Sequence, residues 1–514
     1  MRTGLNPALY QINTRICLNE LSRELGRPAV LNDLSDAYLD ELADLGFDWI
    51  WLLGVWETGP AGRSVSRSNR EWLNGFRSVL PDLSENDITG SPFAVRAYRV
   101  HEDFGGDAAL AKLRSRLAKR GLRLMLDYVP NHTALDHAWA TTHPEYYVRG
   151  SEQDLSREPH NYARVQTRAG ERILAHGRDP YFPGWPDTFQ LDYRSAECRA
   201  AMAQQLCAIA ELCDGVRCDM AMLLLPDVFQ RTWGPSGSNG NGSHPLPNFW
   251  PDAIQRVRAR HPRFVFMAEV YWDREWELQQ LGFDYTYDKR LYDRLTARNA
   301  EAIYAHLQAS PEFQHKSVRF LENHDEPRAA SHFAEGVHQA AAALTFFVPG
   351  LRFFYEGQLE GRRVHASIHL GRRPAEPVDD ALHSFYRRLL ETLKLPVLRA
   401  GHWELLATQI AWVGNPTAHN VLAFSWEDYS QRLIVAVNYA PTQAQCYLRM
   451  PWCNLRGRSF QLRDRLSGTE YVRGGDDLEK HGLYLDVAPW QVHVFDVEPE
   501  SARTQLHADS RSPW

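Results

Sequence analysis

One pattern recurs along most of this chain. A segment with apolar residues at helical spacing meets a glycine stop, and a short run apolar enough to be buried on both faces follows. The stretch from Gly105 to Asn131 shows it most plainly. Asp107 can cap a helix, Leu110, Leu113 and Leu117 fall on one of its faces, and Gly121 stands where a left-handed residue ends it. The run 122–127 (LRLMLD) follows directly, and a strand without polar alternation that is entered from a helix belongs to a parallel sheet covered on both sides. Residues 35–56 repeat the unit, with Ser35 as cap, Tyr38, Leu42 and Leu45 on one face, and Gly46 as stop. A third unit opens at Ser195, buries Met202, Leu206 and Ile209, and feeds a strand at 214–221. Further candidate strands are 8–16, 264–272, 283–287, 317–323 and 350–355, eight in all with 47–56, 122–127 and 214–221. No GxGxxG or GxxxxGK[ST] loop follows an early strand, as an open nucleotide-binding sheet would have it. The expected fold class is α/β, with a closed parallel (β/α)8 TIM barrel.

Two stretches interrupt the alternation. Residues 133–194, rich in Pro, Gly and aromatics, are too long for a plain loop and read as an irregular domain inserted after the third strand. Residues 234–248 (GPSGSNGNGSHPLPN) read from composition as a flexible insertion, either a lid over the barrel mouth or a solvated loop. After Pro396 long helices give way to strand-like runs at 403–406, 410–413, 421–426, 433–438, 445–449, 459–462 and 492–497. Turn signals such as Gly414-Asn415-Pro416 and Gly474-Gly475-Asp476 separate them, which predicts an antiparallel β-sandwich. The expected division is a barrel from residues 1–132 and 195–396, an inserted domain at 133–194, a C-terminal sandwich at 397–498 and a polar tail at 499–514.

Composition narrows the function. With 24% charged and 44% hydrophobic residues the chain is neither a disordered polymer nor a membrane bundle. A net charge of −7 argues against broad attraction to phosphate backbones, so neither a nucleic-acid nor a membrane partner is expected. Seven cysteines lack CxxC or ligand spacing, which excludes a zinc site or a disulfide framework, and the N-terminus has no uninterrupted apolar stretch for export. A cytoplasmic protein with reduced thiols is expected. The 16 Trp, 21 Tyr and 22 Phe supply flat faces suited to sugar rings.

In a parallel barrel the active site lies at the C-terminal ends of the strands. Four clusters stand there: Asp127-Tyr-Val-Pro-Asn131-His132, Gly215-Val-Arg217-Cys-Asp219, Met267-Ala-Glu269-Val and Phe320-Leu-Glu-Asn323-His324-Asp325. Arg217 and Asp219 are two apart on a strand, so they face the same way and the guanidinium can hold the carboxylate ionised. Three carboxylates gathered at one barrel end suit chemistry at an acetal carbon: one attacks, one protonates the leaving oxygen, and one stabilises developing positive charge.

In this order and spacing the clusters resemble the four short conserved regions of the α-amylase family of glycoside hydrolases, over residues 7–400 by motif and over the remainder by architecture. The resemblance implies a (β/α)8 barrel with an irregular domain after strand three and a C-terminal β-sandwich. It implies that Asp219 is the nucleophile, Glu269 the general acid/base and Asp325 the stabilising carboxylate that binds substrate hydroxyls. Arg217 would orient Asp219, His132 and His324 would bind sugar hydroxyls, and Asp127 would organise the subsite. Phe93 or Tyr98 would replace the Gly-Tyr pair on which many members stack the sugar, or the platform would come from elsewhere. Arg328 and the run 272–277 would lie at the rim, as outer subsites or as packing, and Glu356-Gly-Gln358 would close the pocket wall.

Many α-amylases carry a Lys-His pair after the second motif that contributes a calcium-ligand carbonyl; Met222-Leu223 stands here instead. Asn131 alone is far from the six to eight oxygens that calcium takes, so neither metal nor cofactor is expected. The stretch 188–193 resembles neither the QPDLN nor the MPKLN signature of the family's linkage subgroups, and the sequence assigns neither linkage nor oligomeric state. The implied activity is that of a retaining α-glycosidase hydrolysing α-glucosidic bonds of oligosaccharides or short α-glucans. A transglycosidase of the same family is the alternative, then a non-catalytic carbohydrate- or partner-binding member.

Overall fold

The computed structural model describes residues 6–168, 170–234 and 246–500. The expected lid or loop at 234–248 falls mostly on 235–245, and the polar tail on 501–514, outside the described residues.

Eight strands close a parallel barrel: β1 (Ala8–Asn13), β2 (Trp49–Leu53), β3 (Arg123–Tyr128), β4 (Gly215–Cys218), β5 (Val265–Ala268), β6 (Tyr285–Tyr287), β7 (Ser317–Arg319) and β8 (Leu351–Tyr355). They pair in sequence order and β8 returns to β1, with Leu9 opposite Trp49, Met125 opposite Gly215, Cys218 opposite Ala268 and Arg352 opposite Ala8. Every residue of β2 (WIWLL) and β8 (LRFFY) is buried, because alternate side chains fill the barrel and the others meet the surrounding helices. The seam is fastened at its base by Arg352, which donates to the carbonyls of Asn6, Phe346 and Leu398.

Helices α1 (Thr14–Leu25), α2 (Asp36–Asp44), α3 (Pro60–Ser68), α4 (Gly106–Lys119) and α5 (Ala196–Leu212) cover the first half of the barrel sequence. Ser35 and Ser195 cap α2 and α5 through Tyr38 N–H and Cys198 N–H. Gly105 takes the cap position of α4, and the Asp107 carboxylate accepts instead from Val100 N–H. Gly121, at φ +77°, ends that segment as its left-handed stop. β1 is three residues shorter than expected: the Asn13 side chain turns back to accept from Ile16 N–H and starts α1 at Thr14. The runs expected at 264–272 and 317–323 pair only over β5 and β7, and the chain beyond them leads to the rim with the motif residues on it.

Between 133 and 194 the chain leaves the barrel. His132–Ala134 pairs with Thr188–Gln190, and a hairpin joins Tyr162–Thr167 to Gly170–Ala175. The C-terminal part is antiparallel, built from β9 (His402–Leu406), β10 (Thr408–Ile410), β11 (Val421–Glu427), β12 (Arg432–Asn438), β13 (Ala444–Leu448), β14 (Ser459–Asp464), β15 (Glu470–Gly474), β16 (Leu483–Val487) and β17 (Val492–Pro499). One sheet runs β9-β11-β12-β17-β14-β15 and the other β10-β13-β16. β15 and β16 are additions to the sequence reading, and Gly475, read as a turn residue, opens a short helix, Gly475–Lys480. Trp426 Nε1 donates to Phe347 O at 2.7 Å and Tyr439 Oη to Leu295 O at 2.8 Å, which fixes this part to the barrel.

Candidate active site

β4 and β5 are neighbours with Cys218 opposite Ala268, so Asp219 and Glu269 are each the first residue past two paired strands. The ladder extends one step further on each, with Asp219 N–H bonded to Tyr128 O at 2.8 Å and Glu269 N–H to Cys218 O at 3.0 Å. Arg217, one pleat below Asp219 and fully buried, points into the barrel axis. One of its terminal nitrogens stands 2.6 Å from Asp219 Oδ1 and the other 2.8 Å from Glu269 Oε2. The guanidinium rests among the rings of Phe93, Trp51 and Tyr287, at 5.2, 5.5 and 5.7 Å from their centroids, and its Nε donates to Tyr287 Oη at 3.4 Å. These rings keep water from the guanidinium and the two carboxyl groups and so strengthen the interactions between them.

The two carboxyl groups sit in different surroundings. Glu269 Oε2 also accepts from Met220 N–H at 2.7 Å, and Oε1 accepts from Tyr271 Oη at 2.9 Å. Burial, opposed by Arg217 and reinforced by Asp219 and Asp325, pushes the Glu269 carboxyl up to about 8. The shift favours the protonated form of Glu269. With Oε2 facing two N–H donors, that proton belongs on Oε1. Asp219 Oδ1 faces Arg217, and Oδ2 has no hydrogen-bond partner among the described residues. Met220 reaches Glu269 only because its backbone is left-handed, at φ 44°, a strained state for a side chain of its kind.

The third carboxylate, Asp325, opens toward the mouth with its side chain 40% exposed. Asn323 Oδ1 accepts from the N–H groups of Asp325 and Glu326 at 2.8 and 2.9 Å and so shapes the turn that presents it. Behind it lies His324, whose Nδ1 is 2.9 Å from the Gln11 amide nitrogen. An amide nitrogen can only donate, so Nδ1 accepts and the ring proton sits on Nε2, which faces Asp325 Oδ2 at 3.0 Å. Burial, then Arg217, holds His324 well below the usual histidine range. His132 is likewise held down by burial, with its ring 5.1 Å from that of Trp185 in the inserted segment. Both imidazoles are therefore neutral hydrogen-bonding groups. Phe93 closes this side with its ring 5.5 Å from His324.

Some expected residues serve the frame instead. Asp127 accepts from Trp51 Nε1 at 3.0 Å and Gly54 N–H at 2.7 Å, so both its oxygens tie β3 to β2, and burial raises its carboxyl to about 6. Tyr98 does not offer its face to a sugar: its hydroxyl donates to Val129 O and accepts from Val129 N–H, and its ring meets Trp56 edge-on at 5.5 Å. Tyr98 thus builds the wall behind the first motif, while Phe93 turns to Arg217 and His324. Arg328 is buried against Glu322 at 2.7 Å and donates to Glu356 O, and Arg373 stands 3.2 Å from Glu356, so this set closes the rim by packing.

Sequence reasoning passed over Tyr271, Gln11, Tyr287 and Trp51. A signal existed for Tyr271, which follows Glu269 at the same two-residue interval that links Arg217 to Asp219. The run after Glu269 makes a lip. Trp272 and Asp273 are both left-handed, at φ 65° and 61°, and Asp273 is gripped by Arg290. Trp272 meets Tyr181 of the inserted segment edge-on at 5.1 Å, and Tyr181 and the neighbouring Phe182 are both exposed.

The donor set does not fit calcium. Asn131 Oδ1 and O both accept from the Gln190 amide, at 2.9 and 3.0 Å, and among the described residues no group of three or more His, Cys, Asp or Glu side chains is placed to hold a metal. Turnover should accordingly survive exhaustive chelation; loss in chelator that calcium restores would contradict this reading.

The family model for the alpha amylase catalytic domain matches residues 36–366. Alpha-amylase MalA of Haloarcula japonica is 25% identical over 360 residues, 68% of this chain and 43% of its own length. Maltase 1 of Drosophila virilis is 25% identical over 395 residues, 67% of this chain and 57% of its own length, so the chain spans about half the length of these curated relatives. Among solved structures, a maltogenic alpha-amylase, AmyB, from Thermotoga neapolitana superposes with a TM-score of 0.66 at 18% identity, covering 96% of this chain and 98% of that one. An alpha-amylase from Lactobacillus plantarum gives 0.63 at 20% identity, covering 96% and 99%, a likeness of fold. With well over half its length matched by the family model, and with the barrel and its strand-end motifs in place, this chain belongs to the alpha-amylase family.

Proposed function

We propose that this chain is a retaining α-glycosidase that cleaves α-glucosidic bonds of oligosaccharides or short α-glucans through a covalent glycosyl-enzyme on Asp219. The observation that carries this reading is the sharing of one guanidinium by two carboxyl groups, and burial pushes one of them, Glu269, toward its protonated form. Such an arrangement separates an acid from a nucleophile. Glu269 Oε1 gives its proton to the glycosidic oxygen while Asp219 Oδ2 attacks the anomeric carbon from the opposite face, and the C–O bond to the leaving sugar breaks. Water then loses a proton to Glu269, adds to the same carbon and releases Asp219, so two inversions restore the α configuration. Asp325, at the mouth, faces the ring that develops positive charge, with neutral His324 donating to this carboxylate from behind and neutral His132 as a hydrogen-bonding group for the sugar hydroxyls. A guanidinium that holds one carboxyl group on each terminal nitrogen suits the close spacing of retaining enzymes, about 5 to 5.5 Å, better than the wider gap that admits a water. The exposed rings of Tyr181 and Phe182, with Trp272 beside them, supply flat faces on which the leaving sugar would stack.

Product analysis over a panel of α-linked di- and oligosaccharides, with and without sugar acceptors, tests this directly. The first-formed product by NMR should be the α-anomer, and products longer than the donor would assign transfer rather than hydrolysis. A β-anomer released first would rule the mechanism out. The pH profile follows from Glu269: its protonated form is the active one, so kcat/KM should fall as pH rises through about 8. A rate that stays flat from neutral to pH values above about 9 would show that Glu269 is not the acid.

A further inference from the structure

A second set of cationic side chains lies at the same end of the barrel, on the far side of the segment from Gly90 to Phe93. There α1, α3 and the turn before α4 enclose a cavity of about 390 Å³ whose wall includes Arg15, Asn19, Thr58, Arg63, Asn86 and His101. Arg15 is only 8% exposed. Its terminal nitrogens are bonded to neutral acceptors alone, Thr89 Oγ1 at 3.1 Å, Gly90 O at 2.5 Å and Thr58 Oγ1 at 2.8 Å. Among the described residues no carboxylate pairs with it. The Arg63 side chain makes no hydrogen bond or ion pair among the described residues, and its buried Nε has no acceptor. The one carboxylate on the wall, Asp103, is turned to solvent with its side chain 82% exposed, 3.6 Å from His101 Nδ1.

Two like charges thus share one polar cavity. Burial, and then the nearness of Arg63, brings Arg15 down to about 10, which leaves it charged at neutral pH. Burial first, and then Arg15 and Arg63, outweigh Asp103 and hold His101 below its ordinary value. A buried guanidinium without a counter-ion is costly, and a planar fork of donors beside a second positive charge matches an oxyanion with several acceptor atoms.

We propose that this cavity binds a phosphoryl group, with Arg63 as the direct ligand and Arg15 supplying fixed charge from the wall. The phosphoryl group can be free phosphate or part of a small metabolite, and the two sources are separable by titration. Calorimetric titrations with inorganic phosphate and with glucose 6-phosphate, each against potassium chloride at matched ionic strength, should be run on the full chain, on Arg63→Gln and on Arg70→Gln, an exposed control at the start of the helix Arg70–Val79. The expected result is a dissociation constant of about 1 mM or below for at least one phosphate compound. Arg63→Gln should weaken it about tenfold or more while Arg70→Gln leaves it unchanged, and glycosidase turnover without phosphate should be the same in all three proteins. Tighter binding of the sugar phosphate assigns the site to a metabolite, and equal binding assigns it to phosphate itself; either supports the proposal. Absence of binding up to about 10 mM, affinity that survives Arg63→Gln, or equal weakening in both variants overturns it.

Discussion

Glu269→Gln should lower cleavage of a natural α-linked disaccharide by about a thousandfold yet leave attack on an α-glycosyl fluoride within about tenfold of the parent, because fluoride departs with little protonation. The amide can still accept from Met220 N–H and Arg217, so the site keeps its shape while losing its transferable proton. Activation of the incoming water is lost as well, so the glycosyl-enzyme should accumulate and map to Asp219 by mass spectrometry. Asp219→Asn removes the attacking oxygen for every substrate. Both donors should then lose roughly ten-thousandfold or more, with no adduct. An adduct on Glu269 or Asp325, or identical behaviour of the two variants on the fluoride, would show the roles to be misassigned.

The second large effect belongs to Arg217. Arg217→Met keeps most of the side chain's volume but leaves Asp219 and Glu269 facing each other in a buried space without a cation. Breaking a buried pair in this way costs about 3–5 kcal/mol. The melting temperature should fall by several degrees, and kcat/KM by about a thousandfold as Asp219 loses the partner that orients it. The sign of the pH effect is fixed: Arg217 lowers the Glu269 carboxyl, so its removal moves residual activity's alkaline limb above about 8. Arg217→Lys should recover part of the stability, since an ammonium supplies charge without the two-pronged geometry. A Met variant that keeps its melting temperature and stays within about tenfold in kcat/KM would mean that the guanidinium is not what organises this site.

The barrel was readable because each strand is buried on both faces and each helix carries its own stop and start, as Ser35 and Gly46 do for α2 and the strand after it. Such signals are local. β15 and β16 escaped notice because their burial alternates residue by residue and their outward positions include charge, Glu470 in one and Asp486 in the other. The end of β1 was missed since Asn13 is equally at home in a strand and at a helix cap, and only the turn of its side chain decides. The residues now named as candidate catalytic groups lie on strand ends and so were legible by position. Their supports were not. Gln11, Tyr287 and Trp51 reach the site from strands far away in sequence, and nothing local tells Phe93 from Tyr98: the distinction rests on which hydroxyl finds the Val129 backbone.

Asp219 and Glu269 are joined to each other's neighbourhoods by backbone hydrogen bonds that continue the sheet, whereas Trp272, Tyr181 and Phe182 stand on segments outside it. The proposed reacting pair and the proposed sugar-facing lip are therefore mechanically separate. Lengthening the insertion or rebuilding the lip can change which sugar is held without altering the spacing of the two carboxyl groups, whereas a one-residue slip between β4 and β5 would dismantle the chemistry and leave the mouth intact. Variation has room at the entrance and none at the floor.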